Sequence, residues 1–264
     1  MKIVRYVTHN PPGGVHNGVV KDGNVFELEG DILSGNTHAG KMVGSIEDLR
    51  LVSPCQPAKI ICVAINFPGI LHFSPTMSEP LVFVKPPSCI CGPGDTVENP
   101  FPGLSWWGEA ELAVVIGKRL RNISDCEARE GILGFTIAND TTVENVDHRD
   151  HHLARSKCAD KFCAVGPWID TEFDASDCVI EAIQNGEVIR RGRSSDQFWQ
   201  WQRIISWLST WMTLNPWDLV LTGNPPDTVG MRFLGDDDIY TARVSGLGEL
   251  TNRFVRTLPI RRSF

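Results

Sequence analysis

Three unbroken apolar runs constrain this chain more than any other feature: Ile60-Ile61-Cys62-Val63-Ala64-Ile65, Leu81-Val82-Phe83-Val84 and Glu111-Leu112-Ala113-Val114-Val115-Ile116-Gly117. Each is of strand length and too short for a buried helix, and none shows the apolar/polar alternation of a half-solvated strand. They read as strands buried on both faces, which requires layers above and below a central sheet. Phe135-Thr136-Ile137-Ala138 reads as a further strand that delivers Asn139-Asp140 at its end, and Leu219-Val220-Leu221-Thr222-Gly223 as a strand running into a turn. Helical periodicity is clearest at Phe198, Trp201, Ile205, Leu208 and Met212, and Asn215-Pro216 stops it. The tryptophans of that helix are read as core packing, with a cofactor groove as the alternative. Ser124-Asp125-Cys126-Glu127 has the capping-box pattern and predicts a short helix from about Asp125.

Upstream, Asp22-Gly23 between two short apolar stretches predicts a hairpin. Ser45 to Leu49 reads as a helical turn, and Tyr240 to Val255 as a closing hairpin around Gly246-Leu247-Gly248. The expected organisation is a small β-rich N-terminal domain over 1–54 and a mixed α/β, β-rich body over 55–264. Internal repeats and low-complexity segments are absent from the sequence.

Hydrophobic residues make up 42% and charged residues 22%, so a disordered chain is excluded. The net charge is −7, and Lys/Arg runs never exceed two residues. A nucleic-acid groove or an anionic-membrane patch is therefore not expected. The N-terminus lacks a signal-peptide pattern, and no window approaches 18 apolar residues, so a cytoplasmic protein without membrane spans is expected. The eight cysteines are scattered without a CxxC pair, which predicts reduced, mostly buried thiols rather than a disulfide framework or a cysteine zinc site.

The strongest chemical signal is Glu109-Ala110-Glu111 at the head of the third apolar run. Residues two apart on a strand share a face, and adjacent carboxylates repel unless a cation or a proton separates them. Asp140 ends a different strand. Three carboxylates suit a hard divalent cation, Mg2+ by default; solvated strand-end glutamates are the alternative.

With these motifs placed, the chain resembles the fumarylacetoacetate hydrolase superfamily over about 57–255, and the N-terminal region looks like that family's small leading domain. The matching segments run Lys59 to Asn66, Glu79 to Pro86, Gly92 to Asp95, Gly108 to Lys118, Gly134 to Asp140, Gly166 to Trp168, Asn185 to Glu187, Thr213 to Pro216 and Leu221 to Pro225. The resemblance implies the family's mixed β-roll, usually a homodimer. It implies Glu109, Glu111 and Asp140 as ligands of Mg2+ (or Mn2+), and Lys157 as the lysine beside metal and substrate. It places Lys85, Asp160, Thr222, Gly223 and Asn224 at the substrate, with Asn224 standing where the family has a second threonine. The segments Lys157 to Gly166 and Leu208 to Pro216 look more like the branch that decarboxylates and isomerises 2-oxo diacids than like the hydrolases.

Two departures matter. The hydrolases carry a His and a Glu on a lid following N-Y-x-x-H-x-x-E, and this pair activates water. Here Asn66 to Phe73 places Ile70 and Phe73 at those positions, and His72 lies two residues late. A shifted lid presenting His72 as a catalytic group is one reading, a surface histidine the other. Without an activated water, a metal-held 2-oxo acid can still tautomerise or lose CO2 through a stabilised enolate, with Lys157 moving the proton if the cation lowers its pKa. The expected function is thus decarboxylation or isomerisation of a 2-oxo or diketo carboxylate. Alternatives are C–C hydrolysis of an acylpyruvate or fumarylacetoacetate-like substrate, or a metal-binding member that only shapes a ligand. The second departure follows Asp140, where Glu144, His148 and His152 would share a helical face, read as a solvated face, a zinc site or a reshaped pocket wall. Trp106, Trp107 and Trp168 either pack the core or line the pocket of a bulky substrate.

Overall fold

The computed structural model describes residues 1–8, 13–101 and 103–256. The expected N-terminal domain and body include residues 9–12, 102 and 257–264, which lie outside the described residues. The strand Ala110–Ile116 is buried at every position and runs through the middle of the largest sheet. It pairs antiparallel with Ile132–Asp140 on one side and with Leu219–Leu221 on the other. Beyond Leu219–Leu221 come the parallel strand Ile60–Ala64 and then the antiparallel Leu81–Lys85. In the other direction Ile132–Asp140 pairs with Cys163–Asp170, which pairs with Lys2–Val7. The strands Val15–Lys21, Asn24–Asp31 and Asn36–Ser45 extend the same sheet as a meander. The N-terminal strands therefore continue the body's sheet by direct hydrogen bonding.

The two faces of Ala110–Ile116 bury against different layers. Leu112, Val114 and Ile116 join a core with Ile61, Phe135, Ile137, Ile180, Tyr240 and Phe254. That layer includes a second, five-stranded sheet built on Val179–Gln184, Asp238–Val244 and Gly248–Arg256. Ala113 and Val115 pack the opposite way, with Ile60, Cys62, Cys163, Leu219 and Leu221. This two-sided burial is what the apolar runs at Ile60 and Leu112 demanded. Leu81–Lys85 differs: it is an edge strand, and Leu81 and Val84 are 54% and 49% exposed. An apolar run by itself does not distinguish a central strand from an edge strand.

Local chemistry explains the smaller elements. Asp22 and Gly23 both take positive φ (48° and 75°), the backbone of a tight two-residue hairpin. Ser45 caps the turn Ile46–Asp48 by accepting from the Glu47 N–H. The main helix is Trp201–Trp211, and it buries Trp201, Ile204, Ile205 and Leu208 on one face. It starts three residues later than its periodicity predicts, because the Phe198 and Trp199 N–H groups are bonded to Asn66 at 2.8 Å each. The helix expected from Asp125 is reduced to Ala128–Gly131. There Glu127 accepts from both the backbone and the hydroxyl of Ser124, which ties up the Ser124 side chain as a donor instead of a cap. All eight cysteines are free thiols, and only Cys126 and Cys158 are not buried. No helix among the described residues is long and apolar enough to cross a membrane.

Phe135 is fully buried and meets both Phe173 and Trp201 edge-on. Phe135→Ala should cost about 3–5 kcal/mol of stability. Denaturant unfolding should show a lower midpoint with an unchanged slope.

Candidate metal centre

Strand register brings the three carboxylates together. Glu111 pairs with Ala138 and Ala110 with Asn139. The Asp140 N–H then donates to Glu109 O at 2.9 Å, so Glu109 and Asp140 face each other across the ladder. Glu109 and Glu111 lie two apart on one face, and the small Ala138 leaves room beside Glu111. One ligand oxygen from each of Glu109, Glu111 and Asp140 lies within 4.8 Å of the others.

Two lysines approach from outside this strand pair. Lys157 ends the short helix Ala154–Lys157 and donates to Glu109 Oε2 and Asp140 Oδ2, each at 2.7 Å. Lys85 ends the edge strand and donates to Asp140 Oδ1 and to Phe162 O. Burial works against the charge on Asp140, but Lys157 and Lys85 outweigh it and hold the carboxyl below its ordinary range. The same pairing works in reverse on the lysines. Burial lowers Lys157, and Asp140 and Glu109 more than reverse that, so the net shift is upward. Lys85 is likewise raised, chiefly by Asp140 acting against burial. The lowering of Lys157 expected from the sequence is therefore opposed by its carboxylate partners.

Glu109 is held further by Trp107 Nε1 at 2.7 Å and Thr142 Oγ1 at 3.1 Å, both donating to Oε1. Its backbone N–H donates to Asn139 Oδ1 at 2.8 Å. Glu111 has no lysine. Its Oε2 accepts the Gly223 N–H, and its pKa is pushed well up by burial first, then by Asp140 and Glu109. Three carboxylates thus face two ammonium groups, and the buried Glu111 is the one without a direct ion pair, only partly offset by Lys157 at a distance. An all-oxygen donor set with one excess negative charge fits a hard divalent cation, and Glu109, Glu111 and Asp140 are the residues that would hold it.

Other expected site residues divide by exposure. Thr222 is fully buried: its hydroxyl donates to Leu112 O at 2.8 Å and accepts from Gln197 Nε2 at 2.7 Å. Gly223 takes φ +95°, and a Cβ there would stand 2.8 Å from Asn66 Cβ. Only glycine gives Glu111 this donor without displacing Asn66. Asn224 is half-buried and accepts from Arg190 Nη1 at 2.6 Å. Lys85 has no exposed surface and is bonded to Asp140 Oδ1 and Phe162 O. Asp160 is exposed and lines a surface cleft with Glu98, Phe101 and Lys161. His72 is exposed at φ 69°. On the same segment Phe67 is buried, Ile70 packs on the core, and Phe73 meets Phe198 edge-on at 5.5 Å. The positions expected to carry a His/Glu pair here anchor the segment by apolar contact.

The helical face expected for Glu144, His148 and His152 does not form. Only the 3-10 turn Val146–His148 is present, Asp147 and His148 have positive φ, and Glu144 instead accepts from the Ser105 N–H. The tryptophans separate as well. Trp106 is core, against Phe162 and Phe254; Trp168 lies under the Lys2 ammonium; Trp107 holds Glu109. Sequence reasoning missed Thr142, Gln197 and Arg190 as parts of this site. Asn66 lay inside a matching segment, but its role was not legible. Its amide ties Trp199 to Thr222, donating to their carbonyls at 2.9 and 2.8 Å.

Comparison with known proteins gives the chain's family. Residues 59–255 match the fumarylacetoacetate (FAA) hydrolase C-terminal family, and residues 1–54 match the Rv2993c-like N-terminal family. Protein Rv2993c of Mycobacterium tuberculosis is 34% identical over 80% of this chain and 80% of its own length. The mitochondrial oxaloacetate tautomerase fahd2 of Xenopus laevis is 31% identical over 84% of this chain and 72% of that protein. The crystal structure of a 5-carboxymethyl-2-hydroxymuconate delta-isomerase from Mycobacterium smegmatis superposes with a TM-score of 0.86 at 31% identity, covering 98% of this chain and 100% of that one. The chain belongs to the fumarylacetoacetate hydrolase family.

The lone carboxylate makes a testable case. A glutamate raised by folding contributes stability below its ordinary value of 4.5 and loses it as pH rises through the raised value. Glu111→Gln keeps an acceptor for Gly223 but removes the charge. At pH 7 without metal, the variant should melt a few degrees higher than the parent, at about 2–4 °C per kcal/mol. Near pH 4 the difference should vanish, and the variant should lose any upward shift on adding Mg2+. Thermal melts with EDTA and with Mg2+ at both pH values check all three.

Proposed function

We propose that, as a member of this family, the chain isomerises a 2-oxo carboxylate by moving a proton next to the keto group, with a 2-oxo diacid as the substrate class. The supporting observation is the buried triad with its uncompensated Glu111, combined with a lid that offers Ile70 and Phe73 where a water-activating pair is expected. A tautomerase and an isomerase among the similar proteins support the same reaction class. A divalent ion, Mg2+ or Mn2+, held by Glu109, Glu111 and Asp140 would supply Lewis-acid chemistry that offsets negative charge developing on the substrate.

The chain's own residues supply the rest. Lys85 fixes Asp140 from behind through an ammonium that solvent does not reach. Trp107 and Thr142 fix Glu109 from the side. Lys157 is the group that holds the mobile proton, at Nζ. A divalent ion held by Glu109 and Asp140 would offset the two counter-charges that keep Lys157 protonated, which would suit Nζ to pass its proton on. Gly223 holds Glu111 through its N–H, and Asn224, next along the turn after the central strands, takes the carboxylate end of the substrate. His72, exposed on the anchored segment, would reach this site only if that segment shifted. Decarboxylation shares the same charge development and is the second reading of this site. Pairing of two chains into a homodimer, as the family resemblance suggests, belongs to the same proposal.

With Mg2+ or Mn2+, the purified protein should speed the enol–keto interconversion of oxaloacetate, followed by ultraviolet absorbance, and EDTA should abolish the effect. CO2 release and C–C fragments should be slower or absent. Rapid hydrolytic cleavage of an acylpyruvate into two fragments would overturn the reading. Lys157→Met should lower kcat by roughly 10²–10⁴-fold, the usual worth of a general acid–base group.

A further inference from the structure

Arg190 is a buried guanidinium that the proposed chemistry leaves without a task. It is only 7% exposed, on the strand Glu187–Arg193 of the five-stranded sheet. It cannot be the group that receives a substrate carboxylate, because each arm already has a partner. Nε lies 3.0 Å from Asp227 Oδ1, which cancels its charge. Nη2 faces Met231 Sδ at 3.4 Å, and Nη1 donates to Asn224 Oδ1 at 2.6 Å. The last contact is informative. An amide has one acceptor end and one donor end, and their orientation is set by the partner each finds. With Oδ1 held by a charged donor, the Asn224 Nδ2 must point away from Arg190. Asn224 is half-buried and directly follows Gly223, whose N–H binds Glu111.

We propose that Arg190 is a positioning residue: by occupying Asn224 Oδ1 it locks the amide so that Nδ2, with both protons, faces the carboxylate of a 2-oxo acid held at Glu109, Glu111 and Asp140. The inference rests on the reading given under Proposed function and deepens it, because it says which atom reads the substrate's carboxylate. A hydroxyl at this position could rotate and act as donor or acceptor. The locked amide is a donor only, so it favours an anionic oxygen and disfavours a protonated or amidated end.

The probe is oxalate, which carries the chelating end of a 2-oxo acid and does not turn over. Its binding to the Mg2+-loaded protein is measured by calorimetry, with Mg2+ binding measured separately. Asn224→Ala should weaken oxalate about tenfold or more, the worth of a hydrogen bond to a charged group. Arg190→Met should reproduce that loss. The double variant should be no weaker than either single one, because both remove the same contact. Arg190→Lys, which keeps a donor for Oδ1 and a charge for Asp227, should recover most of the affinity. Should Arg190→Met fail to fold, Asn224→Asp carries the test with Arg190 intact: it presents no N–H and should lose oxalate at least as fully as Asn224→Ala. In oxaloacetate turnover, Asn224→Ala and Arg190→Met should raise KM far more than they lower kcat. Multiplicative losses in the double variant, or an Asn224→Ala protein that binds oxalate like the parent, would overturn the inference while Mg2+ binding and turnover stand. A parent protein that binds neither Mg2+ nor oxalate would overturn the metal-centred reading and this inference with it.

Discussion

Everything at this site depends on Asp140 being held at both oxygens. Lys85 takes one and Lys157 the other, and all three side chains are almost entirely removed from solvent. Such a cluster is not an efficient source of stability, since the desolvation cost of buried charges offsets much of their attraction. What it does provide is geometry. Asp140 cannot rotate, Lys157 is drawn across to Glu109, and Lys85 is tied to Phe162 O. The two ammonium groups neutralise two carboxylates and leave the third, Glu111, as the residue with charge to give.

The scaffold delivers this arrangement through strand register rather than through loops. Glu109 and Glu111 share a strand face, and Asp140 meets them from the next strand through pairing that continues the ladder. The Gly223 donor comes from the turn just after the strand on the opposite flank, Leu219–Leu221. Neighbouring strands sit about 4.8 Å apart. Side chains at matched positions on two of them, Glu109 and Glu111 on one and Asp140 on the other, therefore converge on one small volume. The lysines then enter from a short helix and an edge strand, elements whose ends can be placed independently of the ladder.

Much of this was legible in the residues. The strand Ala110–Ile116 was visible because an apolar run of that length has one common explanation, and the E-x-E at its head was visible because alternation puts both carboxylates on one face. The hairpin at Asp22-Gly23 was visible because few residues accept positive φ. Other features were not. Leu81–Lys85 has the composition of a central strand but lies at an edge, a matter of topology that composition does not encode. The helix at Trp201 loses its expected first turn to Asn66, a contact spanning more than a hundred positions. The histidines after Asp140 kept their spacing but not the helix that would align them, since Asp147 and His148 adopt left-handed backbone. Lys85 matched a motif, and its full burial behind Asp140 became evident only in three dimensions. Arg190 carried no sequence signal, because its partners Asn224, Asp227 and Met231 lie on a loop far along the chain.

The turn at Thr222-Gly223 has an evolutionary consequence. Its hydroxyl, its amide and the space a Cβ would need are all committed to Leu112, Glu111 and Asn66. Substitution at either position would disturb the carboxylates before it altered what they accommodate. Just downstream, Asn224 is half-open, and Val229, Met231 and Phe233 are each partly exposed. A lineage built on this scaffold can therefore drift along that downstream loop while the carboxylate floor stays fixed, and variation and integrity are kept in separate stretches of one chain.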